Sequence, residues 1–197
     1  MIILLIIIPS ILAEIRECYT ITDVIDEVVT GDLLPNDTLL LFDLDNTVFM
    51  SQQYVGSVWW FDYELRRTSS FSELLNQWEK MQETIPIMTV EPLIVTATSH
   101  LHSLGYKMIA LTARNSRLNN VTLQQLREVK VTFDDVIYAD GKNKGRIYME
   151  YQKQHNLYYN KIIMIDDGRK HLEDMEETLN KKRVSFVGFH YLSSGVK

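Results

Sequence analysis

The amino-acid sequence predicts an α/β protein built on a parallel, doubly wound sheet. Five short apolar segments have the size and composition of buried strands, and segments with helical spacing of apolar residues separate them. The chain has 197 residues, which suits one well-packed domain and is too short for two large ones. Its hydrophobic share of 46% and charged share of 23% are typical of globular proteins and exclude a disordered or fibrous chain.

The predicted strands are rich in the branched and apolar residues that strands buried on both faces require. They cover residues 39–43, 107–112, 135–138, 162–166 and 184–188. Between the first two strands, one helical face is marked by Leu93, Ile94, Ala97, Leu101 and Leu104, and Gly105 is placed to end that helix. Further helices are predicted over residues 118–129, 146–155 and 169–181. Strands and helices thus alternate, as in βαβ units.

One segment, residues 49–89, departs from this alternation. It has no clear strand, and it contains Trp59, Trp60, Phe61, Tyr63, Phe71 and Trp78. Because it directly follows the first strand, it is predicted to be a helical insert that caps the carboxyl edge of the sheet, where open α/β sheets bind ligands. The alternative is that its rings only fill the insert's own small core.

The amino terminus has the proportions of a signal peptide. Residues 1–12 are almost continuously apolar, and they are followed by Ala13 and then by charged residues. The run is shorter than the roughly 20 residues of a membrane-spanning helix. Cleavage after Ala13 would leave residues 14–197 as an exported domain, periplasmic or secreted, with no stable membrane anchor. No Lys or Arg precedes the run, and the alternative is a first strand or helix packed into the core.

Charge and cysteine content exclude other classes. Lys plus Arg number 20 and Asp plus Glu number 26, which gives a net charge of −6 without a dense basic cluster. A nucleic-acid polymer is therefore not an expected partner. The single cysteine, Cys18, cannot form an internal disulfide. His100 and His102, two residues apart, do not share a helix face, and neither they nor His171 are predicted to bind a ligand.

Two acidic pairs follow predicted strands. Asp43 and Asp45 lie at the end of the first strand, and Asp166 and Asp167 end the fourth. Either pair alone is more typical of a helix cap or a turn. Together, at one edge of a parallel sheet, four carboxylates would repel one another unless a cation were bound, and Mg²⁺ is the natural hard ion.

These motifs resemble those of the haloacid dehalogenase (HAD) superfamily. Asp43-Leu-Asp45-Asn-Thr47 resembles its first motif, Leu111-Thr112-Ala113-Arg114 its second, Lys144 its third and Asp166-Asp167 its fourth, in the same order. More narrowly, the chain is similar to exported HAD-like proteins of unknown function from intracellular bacterial pathogens. That likeness covers most of residues 15–191 and includes Gly56-Ser-Val-Trp-Trp-Phe61, Asn143-Lys-Gly145 and Phe186-Val-Gly-Phe189. The segment at residues 133–141 is shorter than the family pattern leads us to expect.

The resemblance implies roles for the acidic residues. Asp43 would be the nucleophile that forms an aspartyl-phosphate intermediate. Asp45 would first protonate the leaving oxygen and then activate water. Mg²⁺ would be held by the Asp43 carboxylate, the Asp45 backbone carbonyl, and either Asp166 or Asp167.

The resemblance also implies a phosphate-binding set. The Thr112 hydroxyl and the backbone N–H of Ala113 would bind the phosphoryl oxygens. Lys144 would offset the charge of the nucleophile and the phosphate, with Lys142 as the alternative lysine. Arg114 would bind a substrate phosphate or carboxylate, or form only a surface salt bridge.

The expected function is Mg²⁺-dependent hydrolysis of a small phosphomonoester. An exported interaction protein without turnover is the alternative from another class. Dehalogenation is a weaker alternative, because an acid at position 45 suits a leaving group that needs a proton. Substrate identity and oligomeric state stay open.

Overall fold

The computed structural model describes residues 13–31 and 33–192. Residues 1–12 of the predicted signal peptide lie outside this range, and Ala13 is the first residue of the first strand. The strands are β1 (Ala13–Cys18), β2 (Thr38–Phe42), β3 (Phe49–Ser51), β4 (Ile87–Thr89), β5 (Lys107–Thr112), β6 (Asp135–Tyr138), β7 (Lys161–Asp166) and β8 (Ser185–Tyr191). The helices are α1 (Ile21–Thr30), α2 (Val58–Leu65), α3 (Phe71–Gln82), α4 (Leu93–Ser103), α5 (Asn119–Glu128), α6 (Lys144–His155) and α7 (Arg169–Asn180). Among the described helices, none is long and apolar enough to cross a membrane.

Six of the strands form one sheet, in the order β1-β8-β7-β2-β5-β6. All neighbours in it are parallel, which confirms the predicted fold class. In the register of the central strands, Phe42 of β2 lies opposite Ile165 of β7 and Ala110 of β5. The carboxyl ends of these three strands are therefore level, and the residues that follow them meet at one edge.

Helices cover both faces of the sheet because alternate side chains of each buried strand point to opposite faces. Leu40 and Phe42 face a core that includes α1 and α4, whereas Leu39 and Leu41 face a core that includes α6 and α7. All four side chains are buried, as the apolar run in the sequence predicted.

The five predicted strands and four predicted helices are present, with their ends shifted by three residues or fewer. β1 and α1 were not predicted. β1 pairs with β8 at the edge of the sheet that residues 13–192 form, where a mixed polar sequence is tolerated. α1 buries Ile21, Val24 and Val28, a helical spacing that was available in the sequence.

The insert at residues 49–89 contains α2 and α3. Its two ends are joined by β3 and β4, which pair in antiparallel fashion and were not predicted, because strands of three residues carry no periodic signal. Ser57 and Ser70 cap the two helices by accepting a backbone hydrogen bond. Phe61 packs edge-on against Phe71 and Trp78, at ring-centre distances of 6.1 and 6.0 Å. These rings thus pack against one another within the insert.

Candidate active site

The loop after β2 places the first acidic pair. Residues 43–45 do not continue the strand, because the chain turns: Leu44 O accepts hydrogen bonds from Val48 N at 2.9 Å and Phe49 N at 3.1 Å. Asn46 takes the left-handed conformation that this turn requires, with φ of 59°. Asp43 and Asp45 consequently point to different partners, although both line the same cleft.

Asp43, Asp166 and Asp167 form a carboxylate group at the level edge of the sheet. Each offers one oxygen, and these oxygens lie within 4.8 Å of one another. The Lys144 ammonium is fully buried and donates to Asp43 Oδ1 at 2.5 Å and to Asp166 Oδ2 at 2.7 Å. Lys142, the alternative lysine, is exposed. Three acids and one lysine from three separate motifs therefore share one cluster.

Lys144 reaches the cluster because α6 starts at the right place. Asn143 caps the helix by accepting from Arg146 N at 2.9 Å. Gly145 lets α6 lie close to α7, since a Cβ at this position would meet Thr178 Oγ1 at 2.5 Å. The Asn-Lys-Gly triplet thus combines a helix cap, a buried cation and a close helix contact.

The cluster has three carboxyl groups and one ammonium group, and their burial and mutual charges shift the pKa values of all four. Burial raises the pKa of Asp43 to about 6, although Lys144 opposes the shift. Burial also raises the pKa of Asp167 to about 8, and the charges of Asp43 and Asp166 add to it. Burial favours the neutral form of Asp166 as well, but Lys144 and His171 outweigh it and lower the pKa of Asp166. Burial opposes the charge of Lys144 too, but the carboxylates of Asp166 and Asp43 raise its pKa above the usual range.

This donor set fits a hard divalent cation. Within the part of the chain that the structure describes, these three acids are the one group of His, Cys, Asp or Glu side chains close enough to hold a metal ion. Carboxylate oxygens are the ligands that Mg²⁺ prefers. The carboxylate of Asp45, which was predicted to join them, is not part of the group.

Asp166 is oriented by two residues of the following turn. Its Oδ1 accepts from Gly168 N at 2.8 Å and lies 3.1 Å from His171 Nδ1. His171 had no predicted role, but its ring contacts a carboxylate of the cluster. The available signal was its position in the first turn of the helix that follows the acidic pair, from which a side chain reaches back towards the strand end.

Asp167 is tied to the first motif through its backbone. Asp167 N donates to Thr47 Oγ1 at 3.1 Å, and Asp167 O lies 3.1 Å from His190 Nε2. Thr47 had no predicted role beyond its place in the first motif, and His190 had none. The Thr47 contact connects the loops after β2 and β7 directly.

Asp45 forms a two-point salt bridge with Arg114. Arg114 Nε donates to Asp45 Oδ2 at 2.7 Å and Arg114 Nη2 donates to Asp45 Oδ1 at 2.8 Å. The Arg114 side chain is buried, so this is not the surface salt bridge that was one of the two predicted alternatives. The pairing fixes the orientation of the Asp45 carboxyl group, both of whose oxygens accept from Arg114.

Arg114 is itself held on every side. Its Nη1 donates to Gln125 Oε1 at 2.6 Å and Thr122 Oγ1 at 3.0 Å, and its Nη2 lies 3.4 Å from Gln82 Oε1 at the end of α3. Its guanidinium lies over the Phe49 ring, 4.9 Å from the centre. Because Gln82 belongs to the insert and Gln125 to α5, Arg114 links Asp45 to both of these elements.

The second motif lies beside the first. Thr112 is buried at the end of β5, and its Oγ1 accepts from Arg114 N at 3.2 Å. Ala113 lines the cleft together with Asp43 and Asp45. The three residues from 112 to 114 are therefore positioned at the same edge as the carboxylate cluster.

The cleft between the insert and the sheet edge has a volume of about 410 Å³. Its floor includes Asp43, Asp45 and Asp167, and its opposite wall is formed by residues of α2 and α3. The insert therefore caps the carboxyl edge of the sheet, as was predicted.

Comparison with known proteins identifies the relatives of this chain. The family described as "Protein of unknown function (DUF2608)" matches residues 17–138 and 134–197. A curated protein of Chlamydia trachomatis serovar D, named "Putative outer membrane protein", is 19% identical over 84% of this chain and 74% of its own length.

Several solved structures share the fold. A haloacid dehalogenase-like hydrolase from Streptococcus pneumoniae has a TM-score of 0.54 and 14% identity, over 79% of this chain and 95% of that protein. CbbY from Rhodobacter sphaeroides, solved with phosphate, has a TM-score of 0.52 and 10% identity, over 82% of this chain and 89% of that protein. A class C acid phosphatase from Bacillus anthracis, solved with tungstate, has a TM-score of 0.50 and 13% identity, over 89% and 75%. The fold is that of the HAD-like hydrolases, and the predicted resemblance is confirmed.

Proposed function

Since this chain belongs to the DUF2608 family of proteins of unknown function, its activity has to be inferred from its site, and we propose that it is a Mg²⁺-dependent phosphomonoester hydrolase. The observation that carries the proposal is the buried cluster in which Lys144 bridges Asp43 and Asp166 beside Asp167. Such an arrangement offers a nucleophilic carboxylate, a fixed cation and ligands for a metal ion at the mouth of one cleft.

Mg²⁺ would be held by the Asp43 carboxylate, the Asp45 backbone carbonyl and Asp166 or Asp167. The three carboxylates lie within a distance that one ion can bridge. When bound, the ion adds positive charge that offsets the negative charge of the phosphoryl oxygens.

Asp43 would act as the nucleophile. One of its oxygens attacks phosphorus, the bond from phosphorus to the leaving oxygen breaks, and an aspartyl phosphate forms. Lys144 keeps Asp43 ionised and helps to hold it in place. Thr112 and the backbone N–H of Ala113 bind the phosphoryl oxygens at the end of β5. Water then attacks phosphorus, and phosphate leaves with Asp43 restored.

Asp45 would move the protons. It donates one to the leaving oxygen and later takes one from the attacking water. Both of its oxygens accept hydrogen bonds from Arg114, so at least one of these contacts has to lengthen before Asp45 carries a proton. Arg114 is thus a positioning residue for Asp45, and Gln82 couples it to the insert.

The same salt bridge favours the second candidate function. A chain in which both oxygens of Asp45 stay paired with Arg114 would bind phosphorylated ligands without turning them over. Such a chain would be an exported interaction protein that keeps the fold. Dehalogenation stays the weaker alternative, since it gives Asp45 no leaving group to protonate.

We propose that the chain is exported by a signal peptide that ends at Ala13. The apolar run at residues 1–12 and the name of the Chlamydia relative support this proposal. Mass spectrometry of the protein recovered outside the cytoplasm should find Glu14 as its first residue. Recovery with Met1 still attached would contradict cleavage.

The activity is tested with a panel of phosphomonoesters, in Mg²⁺ and in EDTA. We expect turnover only with metal, and we expect Asp43→Asn to reduce kcat by at least about a thousandfold, because the nucleophile is lost. Asp26→Asn, an exposed acid on α1, is the matched control and should retain full activity. Metal-dependent phosphonate binding without turnover of any ester would favour the interaction protein instead.

A further inference from the structure

We propose that the cleft selects phosphomonoesters whose leaving group carries an aromatic ring that is uncharged or cationic. This inference rests on the proposed phosphatase function and names the class of its substrate. It is carried by the composition of the cleft wall that faces the carboxylate cluster.

The wall formed by the insert is aromatic. Phe61 of α2 and Phe71 and Trp78 of α3 line the cleft opposite Asp43. Phe61 makes edge-on contacts with the other two rings, so the three rings form one continuous aromatic group. Phe71 nevertheless keeps 57% of its surface exposed. A planar ring of a ligand can pack against this exposed surface.

The charge of the cleft excludes a second anionic group. Asp43, Asp45 and Asp167 line its floor, and Glu79 and Asp140 line it as well. Of the described residues around it, Arg114 is the one Lys or Arg, and Asp45 already occupies two of its donors. Arg117, which is paired with Glu79, and His171, which contacts Asp166, also have acidic partners already. A second phosphate or a carboxylate on the substrate would therefore meet like charges without an unpaired cation.

The aromatic wall also contains polar atoms without partners. Trp78 is 8% exposed and Glu79 is 5% exposed, and both line the cleft. Among the described residues, the Trp78 indole N–H and Glu79 Oε1 are buried with no hydrogen-bond partner. Buried polar groups are normally satisfied. Both atoms are covered by protein, and the other oxygen of Glu79 is paired with Arg117, so they do not by themselves form a ligand site.

The proposal is tested by comparing benzyl phosphate with ethyl phosphate, each assayed with Mg²⁺. Both release a primary alcohol of similar basicity, so the ratio of their kcat/KM values reports recognition of the ring. We expect benzyl phosphate to be favoured by at least about tenfold, mainly through KM. A propane bisphosphate should be a poorer substrate than ethyl phosphate.

The substitution Phe71→Ala tests whether the aromatic wall causes the preference for benzyl phosphate. Because Phe71 is exposed, its removal should not unfold the chain, and we expect the benzyl-to-ethyl ratio to fall several-fold. Tyr158→Ala removes an exposed ring outside the cleft and should leave the ratio unchanged. Equal kcat/KM for the two esters, a preference for the bisphosphate, or an unchanged ratio in Phe71→Ala would overturn the proposal.

A binding measurement separates this inference from the proposed activity. Calorimetry with benzylphosphonate and ethylphosphonate needs no turnover. If no ester is hydrolysed but benzylphosphonate binds more tightly in the presence of Mg²⁺, the phosphatase fails and the aromatic selectivity stands. If the esters are hydrolysed and the two phosphonates bind equally, the aromatic selectivity fails and the phosphatase stands.

Discussion

Replacing Lys144 with Met tests the electrostatic basis of the carboxylate cluster. The ammonium lies 2.5 Å from Asp43 and 2.7 Å from Asp166, and all three side chains are buried. Met keeps most of the side-chain volume but removes the charge. Breaking a buried ion pair by removing one partner costs about 3–5 kcal/mol, because the other charge is left without compensation. The exposed Lys142→Met should change the free energy of unfolding by no more than about 0.5 kcal/mol.

The loss of unfolding free energy in Lys144→Met should be larger at high pH than at low pH. Without Lys144, the carboxylates of Asp43 and Asp166 lose the charge that lowers their pKa values, so both values rise in the folded state. A carboxyl whose folded pKa lies above its unfolded value stabilises the fold at low pH and loses that contribution as pH rises through the folded pKa. The difference between Lys144→Met and the natural chain should therefore be smaller at about pH 5 than at about pH 8.

Urea denaturation in EDTA at both pH values measures this difference. Added Mg²⁺ should restore part of the stability of Lys144→Met, since a bound cation replaces the missing charge. If Lys144→Met loses no more stability at pH 8 than Lys142→Met, the buried ion pairs do not contribute as the structure indicates. An equal loss at both pH values would point to packing rather than charge as the cause.

Three further changes probe the neighbouring parts of the site. Arg114→Met should lower the free energy of unfolding by about 2–4 kcal/mol in thermal or urea melts, a loss moderated because Asp45 is partly exposed; a loss below about 0.5 kcal/mol would contradict the two-point salt bridge. Gly145→Ala should cost about 1–3 kcal/mol, because its Cβ would push Thr178 away, and a variant that melts with the natural chain would rule out that contact. The affinity for Mg²⁺, measured by calorimetry, should increase from pH 6 to pH 8, since a carboxyl with a pKa of about 8 at Asp167 must release its proton to bind metal; affinity independent of pH would count against Asp167 as a ligand.

Strong local patterns account for the parts of the fold that were predictable. Buried parallel strands are continuous apolar runs, and residues 107–112 and 135–138 were predicted with the ends that the structure has. The helices after β5 and β7 have clear helical spacing and were found within two residues of their predicted ends. Elements shorter or more mixed in sequence, such as β1, β3 and β4, were missed because their periodicity is weak.

The site was partly predictable for a similar reason. Short motifs at strand ends identified Asp43, Thr112 and Asp166, and the parallel register brings these strand ends together. The role of Asp45 was harder to foresee. Side chains two residues apart in a strand share a face. Because the chain turns after Phe42, the side chains of Asp45 and Asp43 point in different directions.

What could be read from the linear chain was the set of reactive groups and the order in which strands and helices present them. Apolar runs and acidic strand ends are local features, because each depends only on residues that are neighbours in the sequence. Ion pairs between distant parts of the chain cannot be read in this way. Lys144 pairs with Asp43, 101 positions away, and Arg114 pairs with Asp45, 69 positions away. Which carboxylate joined the cluster and which was paired with arginine depended on the turn after β2 and on the packing of α5 and α6 around the sheet edge. A buried charged group has to pair with a group of opposite charge within hydrogen-bond distance, and the tertiary structure determines which groups lie that close.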